Sequence, residues 1–395
     1  VQDATTFVRG CVGRLSDGRI IEQFEMTFAE RIGREHGIAF PFARTGIYFT
    51  LKAIGLPTGS VVLMPPLTIK PILDVVYALG LVPRFVDVSL ETACFDETEL
   101  ADALTGPADA AILTYLFGIV PDVDRIVKLL REHDVFIIED FSQCLDGEYR
   151  SRKIGSFGDV SVYSASSVKT LDTYGGGLVV LDDDRLAAKL RDAQKSLSEP
   201  RRSELLKKIF VDFARNLLTT GPFFSFFLFP FLFLLNRARS ARLNRFTGAR
   251  ATEPIDVLPE SWFRAYTSIQ ARFGLLQLQE LSKKNSQRIA SIRLVDVRVP
   301  NSRTAKGADG GRNVYWQYVV YVDDFSRAKD LLLSKQIDTA TTSLGLISSF
   351  TSYPHARSTP NAETIFSRGA YLPCYHQLTE RQVERLVGAA EDLFG

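Results

Sequence analysis

Between residues 37 and 181 short apolar runs rich in β-branched residues recur, and the earlier ones are separated by stretches with helical spacing. The runs are SVVLMP, VPRFVDV, AAILTYLF, VFIIED, DVSVYSA and GGLVVL, with TIKPILDVVYALG and DVDRIVKLLREHD between the earlier of them. Strands buried on both faces read as near-continuous apolar runs, and strands joined through helices lie parallel. The pattern therefore predicts an α/β fold with a mostly parallel central sheet. An amphipathic helix is expected over 21–33, where Phe24, Phe28 and Ile32 recur at helical intervals. A long helix over 267–294, a strand in VYWQYVVYVDD and a closing helix in TERQVERLVGAAEDLF describe a smaller C-terminal α/β domain. The expected division is a large domain at 1–200, an insertion at 201–260 and a connecting helix with the small domain at 261–395.

Composition excludes several classes. Lys and Arg total 47 against 46 Asp and Glu, so no global field recruits nucleic acid. The four cysteines are far apart and form no C-x-x-C, which favours reduced thiols in a cytoplasmic protein over a disulfide framework. The four histidines show no metal-ligand spacing, and no secretory signal is read at the start.

In a parallel α/β sheet, ligands gather at the carboxyl ends of the strands. Asp140 ends VFIIED, placed to pair with a cationic ring nitrogen or simply to cap a helix. Gln143 follows three residues later. Lys169 lies between VYSASSV and the run Gly175-Gly176-Gly177, and Ser164 stands five residues before it. Arg44-Thr45-Gly46 opens the helix GIYFTLKAIG, where backbone N–H groups and hydroxyls make a ready phosphate site. Taken singly, each is an ordinary cap or surface residue. The succession Asp140, Ser164, Lys169 says more than any one of them.

Asp140, Gln143, Ser164 and Lys169 sit within two of a set of longer blocks: FEMTFAERIG, GLVPRFVDVSLETACFD, DVDRIVKLLREHDVFIIEDFSQCLDGEYRSRKIGSFGD, YSASSVKTLDTYGGGLVVL, IQARFGLLQLQEL and YLPCYHQLTERQVERLV. Together they resemble the DegT/DnrJ/StrS family of sugar aminotransferases over most of the chain, except roughly 200–260. The resemblance implies the fold-type I architecture of pyridoxal 5'-phosphate (PLP) enzymes and a homodimer. It implies that Lys169 forms the Schiff base and then moves a proton on the substrate, while Asp140 holds the pyridinium nitrogen. Gln143 would approach the ring hydroxyl, and Ser164, with Thr45 and the amides around it, would bind the phosphate. An amino acid, typically glutamate, would load the cofactor, which then aminates a keto-sugar attached to a nucleotide, or to a lipid where the aromatic segment described below docks on a membrane.

Three positions depart from the family pattern. Ile69, after PPLT, stands where an aromatic residue often stacks on the cofactor ring. Gly175 replaces the usual Glu before the paired glycines, and the Asn-Tyr-Arg stretch is not recognisable in SWFRAYTSIQA. Rival assignments are a PLP dehydratase, against which Lys169 argues, a transaminase of an amphiphilic ketone, and a non-catalytic membrane-tethered relative.

One segment stands apart. Seven of the 28 phenylalanines fall between Phe223 and Phe233, and no charge occurs from Leu217 to Leu235. A straight helix of that length, at about 1.5 Å per residue, would nearly cross a bilayer core. Pro222 and Pro230 oppose one straight helix, and a single crossing would put the two halves of one folding unit on opposite sides. Basic residues flank both ends: Arg201, Arg202, Lys207, Lys208 and Arg215 before, then Arg237, Arg239, Arg242 and Arg245 after. The segment reads as a peripheral contact with the cytoplasmic face of the inner membrane, or as a lid or dimer contact packed within the protein.

Overall fold

In the computed structural model, Leu15 and residues 17–218, 255, 257–350 and 355–395 are described. Helix α1 (Gly18–Ile32) leads into β1 (His36–Phe40) and α2 (Ala43–Ile54). Then come β2 (Val61–Met64), β3 (Leu67–Thr68), α3 (Lys70–Ala78), β4 (Val82–Phe85), α4 (Glu97–Ala103), β5 (Ala110–Thr114), α5 (Val123–Arg131) and β6 (Phe136–Asp140). The short β7 (Glu148–Tyr149) and β8 (Arg152–Lys153) precede β9 (Val160–Ser164), β10 (Gly177–Leu181), α6 (Asp184–Lys195) and α7 (Arg202–Leu218). The C-terminal elements are α8 (Ser268–Asp296), β11 (Gly311–Arg312), β12 (Tyr318–Tyr321), α9 (Phe325–Ser334), β13 (Gly345–Leu346), α10 (Pro360–Arg368), β14 (Gly369–Leu372) and α11 (Glu380–Phe394).

The apolar runs become a seven-stranded sheet of order β1-β10-β9-β6-β5-β2-β4. Neighbours from β9 to β4 pair parallel, and β10 runs against both of its neighbours. This is the mostly parallel sheet expected. Strand β1, HGIAF, is absent from the runs read in the sequence because a histidine and a glycine dilute it. Three cysteines, Cys94, Cys144 and Cys374, are free thiols; Cys11 lies outside the described residues.

Alternation along each strand sends successive side chains to opposite faces. Ile112, Ile138, Val162 and Val179 pack with Ile47 and Leu51 of α2, Ile72 and Val76 of α3 and Leu190 of α6. Leu113, Ile137 and Tyr163 face the other way, into a core with Phe24 and Phe28 of α1 and with α8. A Cβ at Gly274 of α8 would fall 2.3 Å from the Phe24 ring, so only glycine lets this helix lie so close to α1. Beyond α8, β13 pairs with β3 and β11 with β7, which stitches the C-terminal region to the loops after β2 and β6.

Glu139, the residue before Asp140, is fully buried. It accepts hydrogen bonds from Tyr115 Oη at 2.6 Å, the Gly155, Phe157 and Gly158 amides at 3.2, 2.6 and 2.7 Å, and Ser161 Oγ at 3.1 Å. Arg34 stands 3.7 Å away and itself grips the Gly155 and Gly158 carbonyls. This carboxylate fixes the turn that feeds β9. Glu139→Ala should destabilise the protein by about 3–5 kcal/mol, the effect of leaving several buried donors unpaired, while Arg34 keeps Asp182 at 2.7 Å. Urea unfolding measures it, and a loss near zero would remove the residue from this role.

Candidate functional site

The site grows from the carboxyl edge of the sheet. Thr114 is in register with Asp140, and Asp140 with Val162; Ser164 lies two residues beyond Val162 on the same face. Asp140 is buried, and its Oδ1 accepts the Ser142 amide at 3.0 Å. Ser142 Oγ in turn accepts the Ser164 amide at 2.9 Å, and Ser164 Oγ meets Ser166 Oγ at 2.9 Å. Asp140 and Ser164 are thus coupled through Ser142, a residue the sequence had not singled out.

The chain reaches Lys169 through a tight turn, with the Lys169 amide donating to the Ser166 carbonyl at 3.1 Å. Val168 adopts φ 70°, a left-handed conformation that a β-branched residue takes only under constraint. Trp316 supplies that constraint. Its Nε1 donates to the Val168 carbonyl at 3.0 Å, and its ring centroid lies 3.9 Å from Lys169 Nζ. Burial pushes the Lys169 amine down to about 8, and the charge of Asp140 pulls it partly back up. Burial likewise raises the Asp140 carboxyl, against the hydrogen bonds of Ser142 and the charge of Lys169. Asp140 is the charge that relieves Lys169, whereas Asp140 itself is relieved first by Ser142 and then by Lys169.

Gln143 is buried, and its Oε1 accepts the Phe117 amide at 2.7 Å, which holds Phe117 at φ 59°. Its amide nitrogen remains as its donor. Thr45 is also buried, but its hydroxyl donates to the Trp262 carbonyl at 2.8 Å. The Thr45 and Gly46 amides both donate to the Phe42 carbonyl. These groups expected at a phosphate are therefore engaged in local structure. Arg44 differs: its guanidinium lies 3.7 Å from the Phe42 ring centroid and 4.3 Å from that of Trp262, and its Nε is buried without a partner. Ile69 is 41% exposed at the start of α3, just beyond β3.

Trp316 and Arg288 were not legible as site residues. Arg288 of α8 donates to the Val314 carbonyl at 2.8 Å and to Thr170 Oγ1 at 3.5 Å, tying the Trp316 loop to the residue after Lys169. A signal did exist. The chain has two tryptophans, and each stacks on a cation of this region. The aromatic segment beyond α7 lies outside the described residues, and among those described no helix is long and apolar enough to cross a membrane.

The profile of the DegT/DnrJ/EryC1/StrS aminotransferase family matches residues 6–209 and 265–391. The spore coat polysaccharide biosynthesis protein SpsC of Bacillus subtilis is 25% identical over 396 residues, covering 96% of this chain and 91% of the relative. A GDP-perosamine synthase of Caulobacter vibrioides is 26% identical over 393 residues, with the same 96% and 91% coverage. The structure of the sugar aminotransferase CalS13 from Micromonospora echinospora superposes with a TM-score of 0.74 at 22% identity, covering 99% of this chain and 96% of that one.

The geometry makes Lys169 titrate early. In the cofactor-free protein, acylation of Lys169 followed against pH by mass spectrometry should rise with a midpoint near 8 rather than in the ordinary lysine range. Asp140→Asn removes the charge that favours the ammonium form, so the midpoint should move lower still. An upward shift in that variant would contradict the pairing.

Proposed function

The chain belongs to the DegT/DnrJ/EryC1/StrS aminotransferase family of PLP-dependent enzymes, and on that premise we propose that it aminates a keto-sugar carried on a nucleotide or lipid, with Lys169 as the reacting amine. An amino acid such as glutamate would be the donor. The observation that carries this reading is Lys169, its amine brought down to about 8 by burial beside the buried carboxyl of Asp140. The similarity to SpsC, a spore coat polysaccharide biosynthesis protein, and to a GDP-perosamine synthase supports a sugar as substrate class.

The residues present suit PLP. A buried carboxyl waits for a cation, Thr114 Oγ1 is buried without a partner among the described residues, and Arg44 Nε is likewise unmatched. When bound, PLP supplies an electron sink for charge developing at the substrate Cα. Asp140 would hold the ring nitrogen in its protonated form, and the amide nitrogen of Gln143 would donate to the ring oxygen. Ser164 and Arg44 would grip the phosphate, since the Thr45 hydroxyl is committed to Trp262. Ile69 would offer the ring an aliphatic edge. An amine near neutrality suits Lys169 to take a proton from Cα and return it on the other side of the reaction.

Location forms a second part of the proposal. Phe210, Val211 and Phe213 of α7 are 63%, 56% and 45% exposed, immediately before the charge-free phenylalanine-rich segment. Apolar surface of this density favours a peripheral contact with a membrane face.

Two experiments test these readings. The wild-type protein with PLP should show a visible absorbance band that shifts on adding glutamate. Lys169→Ala should keep the fold, by circular dichroism, and lose both the band shift and turnover; full activity in that variant would refute the assignment. Deleting 217–235 should move the protein from the membrane pellet to the supernatant, and an unchanged distribution would remove the membrane from the reading.

A further inference from the structure

Helix α7 carries residues of the site as well as the approach to the aromatic segment. Leu205 and Ile209 anchor it on Tyr174, Ile269 and Phe273. Lys208 and Asp212 follow Leu205 at intervals of three and seven, so they share that inward face. Asp212 accepts a hydrogen bond from Ser167 Oγ at 2.6 Å, two residues before Lys169. Although Lys208 is exposed along its length, its ammonium reaches in to Gly175 and lies 5.2 Å from the Phe42 ring centroid. A Cβ at Gly175 would stand 2.3 Å from Lys208 Nζ, so a larger residue there would push the ammonium from this place.

Arg44 flanks the same Phe42 ring, and its charge, after burial, lowers the Lys208 pKa. Asp212 and Asp172 oppose that shift. Both are engaged elsewhere, Asp212 with Ser167 and Asp172 Oδ1 with the Tyr174 amide at 2.7 Å. Neither Arg44 nor Lys208 has a hydrogen bond or ion pair among the described residues; their contacts are the aromatic rings. Lys208 lies in the field of those two carboxylates, whereas burial alone lowers Arg44, and two cations drawn together at one ring favour an anion between them. Phe42 bridges Gly176, and Gly177 pairs with Ser164, so the pair borders the serine end of the site.

We propose that Lys208 of α7 and Arg44 of α2 form a two-cation clamp for the phosphate monoester of the cofactor, so that one chain supplies the charge from its own helix. The clamp rests on the PLP reading above. Cofactor-free wild-type protein, Lys208→Met and Lys208→Arg are titrated with pyridoxal phosphate and with pyridoxal, reading the visible band of the lysine-bound compound. Lys208→Met should bind pyridoxal phosphate about tenfold or more weakly, as loss of a charge-assisted contact requires, and bind pyridoxal as the wild type does. Lys208→Arg should stay within about threefold of wild type, because the cation is kept. Equal losses for both compounds would show a structural role and overturn the clamp. So would unchanged pyridoxal phosphate affinity, including the case where Lys208→Met instead weakens binding of uridine diphosphate in calorimetry. A wild-type protein giving no band with either compound would fail the cofactor assignment itself, which a band insensitive to Lys208→Met would leave standing.

Discussion

Two consecutive carboxylates at the end of β6 govern the rest of the structure. The pleat sends Glu139 to the face covered by α1 and α8 and Asp140 to the face covered by α2. A buried carboxylate without partners is costly by several kcal/mol or more, and the protein resolves the two cases in opposite ways. Glu139 is saturated by backbone amides, two hydroxyls and Arg34, which turns it into an anchor for the loop before β9. Asp140 receives the Ser142 amide and the field of Lys169, which leaves it a carboxyl still in want of a cation. One anchors and the other waits.

The strands and helices of the central sheet were legible because burial on both faces leaves an unbroken apolar run, and the intervening helices keep their own period. Asp140, Ser164 and Lys169 were legible for the same reason, since each lies at or just after the end of a readable strand. Trp316 was hidden inside the run VYWQYVVYVDD, read whole as a strand. The strand proper is Tyr318–Tyr321, and the residues before it leave the ladder so that Trp316 can close over Lys169. Thr45 failed differently: its hydroxyl is taken by the carbonyl of Trp262, 217 positions away, a contact no local pattern encodes. Arg288, Lys208 and Trp262 share that difficulty. Their partners are brought near by topology alone.

Aromatic rings stand beside the cations throughout the site. Lys169 lies over Trp316, Arg44 between Phe42 and Trp262, and Lys208 near Phe42. A ring face attracts a cation weakly compared with a carboxylate, yet it accepts no proton and keeps no charge of its own. It therefore steadies the side chain while leaving the positive charge available to an anion. Asp140 is the carboxylate whose field reaches Lys169, and Asp212 and Asp172 are those whose fields reach Lys208, while Arg44 is left to its rings.

Helix α7 changes how the unusual segment after it is understood. The family profile stops at residue 209 and resumes at 265, so the break falls within α7, between Lys208 and Asp212. Both residues nevertheless reach the site, one at Gly175 and the other at Ser167. The departure from the family pattern therefore does not begin on a distant surface; it begins one helical turn from the lysine loop. Because Leu205 and Ile209 bury one face of the helix while Phe210, Val211 and Phe213 leave another exposed, a contact made on the outer face acts on a rod whose inner face holds Ser167. That apolar surface thus lies within one helical turn of the Asp212–Ser167 hydrogen bond, two residues before Lys169.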